Sequence, residues 1–240
     1  MHELRPERLD LRDGQTHAIA VAGKSFLGDY TGALYWPGEQ ALIVADLHLE
    51  KASAAAERGR LLPPYDTRET LMKLAGVIDR FEPATVIALG DSLHDKRAAA
   101  RLSDDDLHVL HMLQEDRAWI WVTGNHDPEI APKLGGEIRA ELTLEGLMLR
   151  HEPKTGRVTH EIAGHLHPAA KVSMYGHTIR RPTFVGNGRR LVMPAFGTFT
   201  GGLNILDRAF EPLFGTDGLQ VHVLGEEGLY PVAARLLRED

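Results

Sequence analysis

Trp119-Ile120-Trp121-Val122-Thr123-Gly124-Asn125-His126-Asp127 sets an amide and an imidazole side by side directly after an apolar, β-type run. A run of this kind that stops at a glycine and delivers polar side chains reads as a strand feeding a functional loop. Taken alone, Gly-Asn is ordinary turn chemistry, and a turn carrying a surface histidine is the stronger reading of the tetrapeptide by itself. Its neighbours along the chain decide the matter.

Four further clusters of ligand-type residues occur, and most follow an apolar run. Asp46-Leu47-His48 follows Ala41-Leu42-Ile43-Val44-Ala45, and Gly90-Asp91-Ser92-Leu93-His94-Asp95 follows Ala84-Thr85-Val86-Ile87-Ala88-Leu89. His151 closes Leu147-Met148-Leu149-Arg150, and Gly164-His165-Leu166-His167 follows Glu161-Ile162-Ala163. In an extended segment residues i and i+2 project to one side, so Asp46 with His48, and His165 with His167, are each expected to aim two ligands into one cleft. Glycines 90, 124 and 164 fit points where backbone turns sharply or passes close to a metal.

With no cysteine in 240 residues, disulfides and thiolate metal sites are excluded, and a metal must be held by oxygen and imidazole nitrogen. Such donors suit Mn²⁺, Fe²⁺ or Zn²⁺. A net charge of −7 argues against coating nucleic acid by bulk electrostatics. At 43% hydrophobic, the chain can bury one substantial core, and residues 1–240 are expected to form one domain. No apolar run reaches the roughly 18 residues needed to cross a bilayer, and the N-terminus is charged where a signal peptide turns apolar, so the expectation is a cytoplasmic protein without a membrane partner.

The first 14 residues are charged and aperiodic, which predicts a frayed arm or an edge segment. Short apolar stretches broken by glycine from Thr16 to Ala45 predict a hairpin opening a first sheet. Asp66 is the expected N-cap of a helix over 67–81, with Glu69 at its third position and Leu71, Leu74, Ala75 and Ile78 at helical spacing. Ser103 caps a second helix carrying Leu107, Leu110 and Leu113. Alternation with strands at 84–89 and 118–122 gives βαβαβ order and parallel pairing. Beyond Gly135-Gly136, β-type runs near 138–150, 158–163, 177–185 and 190–196 predict a second, antiparallel or mixed sheet, with a short C-terminal helix starting near Val232.

Together, D-x-H, G-D-x-x-H, G-N-H-D, a later His and G-H-x-H, in this order, resemble the calcineurin-like metallophosphoesterase superfamily over Asp46 to His167. Residues 46–51, 58–67, 164–168 and 194–204 resemble one branch of it, the bacterial ligase-associated DNA damage response endonucleases. The resemblance implies a four-layer α/β/β/α sandwich. It also implies two divalent metal ions, one held by Asp46, His48, Asp91 and His167, the other by Asp91, Asn125, His151 and His165, with Asp91 bridging. Mn²⁺ is the first choice of metal. Two ions clamp the attacking and leaving oxygens of an in-line displacement and lower the pKa of a bound water from 15.7 towards about 7. The implied substrate is DNA, in a repair setting shared with an ATP-dependent ligase, a helicase and an exonuclease. The same metal core also fits a small-molecule phosphoesterase of cyclic or dinucleotides, and the fold alone could serve as a non-catalytic scaffold.

His126 and His94 are the candidate catalytic residues. His126 follows Asn125 and cannot easily share its metal, so it is expected to face the phosphate, stabilise charge and protonate the leaving alkoxide. His94 stands where the phosphatase branch has an Asp that orients this histidine, as in the superfamily's DNA nucleases. Whether Asp95, Asp127 or nothing orients His126 stays open. His160 competes with His151, while His108 and His111 read as surface residues. Arg180-Arg181 and Arg189-Arg190 are either solvated turn residues or a phosphate-tracking patch, and Arg180 and Arg181 are the candidate substrate-binding pair.

Overall fold

In the computed structural model, residues 14–174, 176–215 and 218–240 are described. Most of the expected N-terminal arm lies outside them. The chain opens as an antiparallel meander, β1 (Thr16–Val21), β2 (Lys24–Asp29), β3 (Leu34–Trp36) and β4 (Ala41–Ala45). Helices α1 (Lys51–Glu57) and α2 (Asp66–Phe81) lead to β5 (Thr85–Leu89), and α3 (Ala98–Arg101) and α4 (Asp104–Gln114) lead to β6 (Ala118–Val122). β4, β5 and β6 pair in parallel and are apolar on both faces, as strands covered from both sides must be.

β7 (Glu137–Arg139) extends this sheet parallel to β6, whereas the sequence pattern places it in the second sheet. Strand pairing is a tertiary choice that a three-residue exposed run does not reveal. The second sheet is mixed. It contains β8 (Leu142–Leu144), β9 (Leu147–Arg150), β10 (Glu161–Ala163), β11 (Pro168–Met174), β12 (His177–Gly186), β13 (Arg190–Val192) and β14 (Leu203–Asn204). After α5 (Glu211–Phe214), it is completed by β15 (Gln220–Leu224), β16 (Leu229–Val232) and β17 (Leu237–Arg238). The expected C-terminal helix is instead one 3-10 turn, Ala234–Leu236, before β17 pairs with β11.

Three apolar clusters hold these parts together. Leu71, Leu74, Val77, Ile78 and Phe81 of α2 and Leu110 of α4 pack on Leu42, Val44, Val86, Ala88 and Trp121 of the first sheet. Ile43, Ile87 and Val122 on that sheet's other face meet Leu147, Leu149, Ile162, Phe184 and Leu191 of the second. Phe210, Leu213 and Phe214 cover Val172, Val185, Val192 and Val223. The α/β class with two sheets and helices is as expected, although the outer cover of the second sheet is thin, a 3-10 turn and one turn of helix. No helix among the described residues is long and apolar enough to cross a membrane.

Ser103 caps α4 as expected, its hydroxyl accepting from Asp106 N at 3.1 Å. Asp66 does not cap α2. It is the first helical residue, and its carboxylate accepts from Ala52 N at 3.0 Å, tying α2 to α1. A buried donor elsewhere outbids the helix's own amides.

Candidate metal centre

The loops after β4, β5, β6, β9 and β10 converge at one end of the two sheets. His48 N donates to Asp91 O (2.9 Å), Leu49 N to Ser92 O (2.9 Å) and His94 N to Leu49 O (2.9 Å), so the first two loops continue the parallel pairing beyond their strands. Phe196 N and Gly197 N donate to Ala45 O and Asp46 O, adding a third segment.

Two donor groups form there, Asp46 with His48 and His167, and Asp91 with His151 and His165, each with its ligand atoms within 4.8 Å of one another. Their aim does not come from extended backbone. Asp46 (φ 54°), His48 (φ 46°), Asp91 (φ 45°), His165 (φ 71°) and His167 (φ 45°) are all left-handed. Such geometry costs on the order of 1 kcal/mol or more per non-glycine residue and persists where the surroundings enforce it. Close approach explains the glycines: a Cβ on Gly164 would lie 2.6 Å from Asp46 Oδ2, and one on Gly124 would overlap both Asp91 Oδ1 and Asp91 N.

Lone pairs confront one another across the cluster. His151 Nδ1 lies 3.2 Å from Leu89 O and His167 Nδ1 3.2 Å from Gly201 O, so each carries its proton on Nδ1, donates it to a carbonyl and turns a bare Nε2 inward. There His151 Nε2 meets Asn125 Oδ1 at 2.9 Å, His165 Nδ1 at 3.1 Å and Asp91 Oδ2 at 3.4 Å. His167 Nε2 meets His48 Nε2 at 3.2 Å and Asp46 Oδ1 at 3.3 Å. Acceptors so placed, with Asp46 and Asp91 almost fully buried, are reconciled by cations among them, and the residues fit the implied pair of metal ions. Asp91 Oδ2 is also 4.0 Å from His48 Nε2, which puts it between the two groups. Burial, with the neighbouring His167, pushes the His48 imidazole down to about 3, the neutral form a ligand requires.

No protein-family model and no curated protein matches the chain. Among solved structures, the Pseudomonas putida nuclease MPE superposes with a TM-score of 0.69 at 26% identity, covering 90% of this chain and 100% of that one. The chain is similar to a bacterial nuclease. The metallophosphoesterase resemblance read from its motifs is thereby borne out at the level of the fold. A phosphoesterase from E. coli, Yfce, matches at 17% identity and a TM-score of 0.42 over 80% of this chain and 98% of its own, too distant to carry weight.

Of the seven ligands expected from the metallophosphoesterase pattern, six make up the two donor groups, and Asn125 joins the second through His151. His160 is exposed and outside both, whereas His151 is buried inside one. His108 and His111 are exposed on α4. His126 lies at the mouth, its ring 5.3 Å from His48 and stacked on His94 at 5.7 Å, with Nε2 3.9 Å from Asp91 Oδ2.

Neither carboxylate suspected of orienting His126 does so. Asp95 accepts from Arg101 (2.9 Å) and Arg97 N (2.8 Å). Asp127 is buried and accepts from Asp91 N (3.1 Å), Leu93 N (3.0 Å) and Gly124 N (2.9 Å), locking the Asp91 loop to the Asn125 loop. Burial, helped by the Asp91 charge and opposed by those amides, raises its carboxyl to about 6. Sequence reading missed this clamp because Asp after Gly-Asn-His looks like any turn residue.

Arg180, exposed, and Arg181, half-buried, line a cavity of about 210 Å³ beside His167, Gly201 and Gly202. Arg180 donates to Gly202 O (2.6 Å) and pairs with Asp240 (3.3 Å), and Arg181 pairs with Glu226 (2.8 Å). Arg189-Arg190 is not a phosphate-tracking patch of the same kind: Arg190 is 1% exposed and bound to Glu161 at 2.6 Å. Gly201, just before β14, lines the site, its carbonyl facing His167 Nδ1 at 3.2 Å.

Proposed function

We propose that this chain is a two-metal phosphodiesterase that acts on DNA as an endonuclease in repair. The observation that carries the reading is the pair of buried Asp/His groups, with confronted lone pairs, opening beside His126 on a fold similar to that of a nuclease.

Asp46, His48, Asp91 and His167 would hold one divalent ion and Asp91, Asn125, His151 and His165 a second, Mn²⁺ first and Fe²⁺ or Zn²⁺ next, and the pair would supply Lewis acidity and an activated water. The chain's own residues do the rest. His126 keeps its Nδ1 proton on the His94 carbonyl, so proton exchange takes place at Nε2, which faces the cleft. From there an imidazolium stabilises the charged transition state and returns a proton to the leaving alkoxide, a need greater for an unactivated diester than for an aryl ester. Arg180 and Arg181, on the far side of His167, contact phosphates flanking the scissile one.

Hydrolysis of cyclic or linear dinucleotides is the competing reading, favoured by the net charge of −7 and by acidic partners already on both arginines. Rates on long DNA against cyclic and linear dinucleotides, over a salt series with Mn²⁺, separate the two. Faster DNA cleavage with a steep salt slope, flattened in Arg180→Ala/Arg181→Ala, supports the nuclease. Fast dinucleotide turnover with DNA left intact reverses the assignment.

A further inference from the structure

The exposed segment between α1 and α2 is tied to the metal centre yet has no task in the chemistry above. Arg58, Arg60, Leu61, Leu62 and Tyr65 all face solvent, Leu61 at 93% and Tyr65 at 63% exposure. A second exposed aromatic, Phe199 (44%, φ 56°), projects from the 194–204 segment. The two segments are joined where these rings emerge: Thr198 Oγ1 donates to Asp66 O (2.9 Å), and Thr198 N donates to Thr70 Oγ1 (3.2 Å). Tyr65 and Phe199 are the residues next to that joint.

Both segments are also bolted to the ligand loops. Glu50 N donates to Thr67 Oγ1 (2.8 Å) behind His48, while Gly197 N donates to Asp46 O and Gly201 O holds His167. The backbone that carries each ring is therefore anchored to the ligand loops. Among the described residues no carboxylate pairs with Arg58 or Arg60, in contrast to Arg97, Arg101, Arg180 and Arg181. Glu57, the residue before Arg58, pairs with Arg97 (2.7 Å) three positions beyond His94, so this segment leaves α1 beside the His94 loop.

We propose that Tyr65 and Phe199 form a platform on which bases of the strand beside the scissile phosphate stack, with Arg58 and Arg60 on its backbone phosphates. Exposed aromatic rings beside arginines that pair with no carboxylate among the described residues match the chemistry of a polynucleotide strand, whose every base offers a π face and every linkage a charge. A protein partner would be served by the leucines and rings alone, and two arginines that pair with no carboxylate among the described residues favour the nucleic acid. This deepens the nuclease reading and rests on it.

The test compares an oligothymidylate of about 20 nucleotides, an abasic oligomer of the same length and bis(p-nitrophenyl) phosphate, with Mn²⁺. Wild type, Tyr65→Ala, Phe199→Ala, Tyr65→Phe and Arg58→Ala/Arg60→Ala are assayed at substrate concentrations below saturation. The expected result is that wild type prefers the base-bearing oligomer over the abasic one, and that each alanine at an aromatic position lowers this preference by roughly tenfold, the effect of losing one base-aromatic stack. Tyr65→Phe restores it. The arginine variant lowers cleavage of both oligomers and flattens their salt dependence. An unchanged preference in Tyr65→Ala and Phe199→Ala, with oligomers still cut, overturns the platform alone and makes the patch a protein-docking surface. Wild type that hydrolyses the small diester but neither binds nor cuts either oligomer overturns the nuclease reading and the platform with it.

Discussion

His126 Nδ1 lies 2.9 Å from the backbone carbonyl of His94, so a main-chain atom, and no carboxylate, sets the tautomer of the histidine at the mouth of the metal centre. The hydrogen bond between the two residues thus uses the His126 imidazole alone, while the His94 ring contributes a stack at 5.7 Å. His94→Ala leaves the orienting carbonyl in place, whereas His126→Ala removes the proposed proton donor. The expected loss on an unactivated diester is on the order of a hundredfold for His126→Ala and under tenfold for His94→Ala. Both variants should keep their metal, measured by elemental analysis. On a p-nitrophenyl ester, the loss in His126→Ala should shrink, and equal losses on the two substrates would assign His126 to charge stabilisation instead.

Asp91 approaches inward-facing nitrogens of both donor groups, 3.4 Å from His151 Nε2 and 4.0 Å from His48 Nε2, whereas Asp46, 3.3 Å from His167 Nε2, meets His151 only at the Nδ1 that donates to Leu89 O (3.7 Å). Asp91→Asn should therefore lower bound metal at both positions, and His48→Ala chiefly at one. Metal content per chain after dialysis reads this directly. An Asp91 variant that retains two ions with near-normal turnover removes it from the bridging place.

Asp127 offers two carboxylate oxygens to three amides, and an asparagine would turn its NH₂ against one or more of them. Asp127→Asn is expected to lose about 1–3 kcal/mol of stability, the range for an unsatisfied buried donor, and to weaken metal retention by loosening the Asp91 loop. Urea unfolding and metal titration check the two parts. Loss of stability without loss of metal affinity would confine Asp127 to folding.

How much of this could be read beforehand follows from how local each signal is. Helical spacing in Leu71, Leu74 and Ile78 and the apolar runs at 41–45, 85–89 and 118–122 reflect burial the chain carries in its own period, and these elements stand where expected. The six residues of the donor groups were legible because each ends an apolar run or sits two residues beyond such a ligand. The left-handed backbone at Asp46, His48 and Asp91 was not, because it is imposed by cross-loop hydrogen bonds such as His48 N to Asp91 O between residues 43 apart. Arg190 looked like half of a charged turn, and its burial depends on Glu161, 29 positions earlier. β11, β15 and β16 went unread because Pro168 and Pro231 and mixed polarity blur their alternation.

Away from the metal centre, His222 on β15 is buried beside His17, ring centroids 4.8 Å apart, and its Nδ1 has no partner among the described residues. Burial, with His17 adding, lowers it from 6.5 to about 4. The folded pKa is below the unfolded one, so the contribution to stability is fully present above pH 6.5 and is lost as pH falls towards 4. Between pH 7.5 and 5 wild type should lose about 2 kcal/mol more than His222→Gln in urea unfolding. Parallel loss in both proteins would remove His222 as the source.

The central claim is that the paired Asp/His groups serve cleavage within a DNA chain. Covalently closed circular DNA, single-stranded and duplex, incubated with Mn²⁺ and wild type or Asp91→Ala, tests it most directly. The account predicts that wild type opens closed circles, that Asp91→Ala does not, and that chelation of the metal abolishes the cut. Circles that stay closed while small diesters or cyclic dinucleotides are hydrolysed rapidly would contradict it.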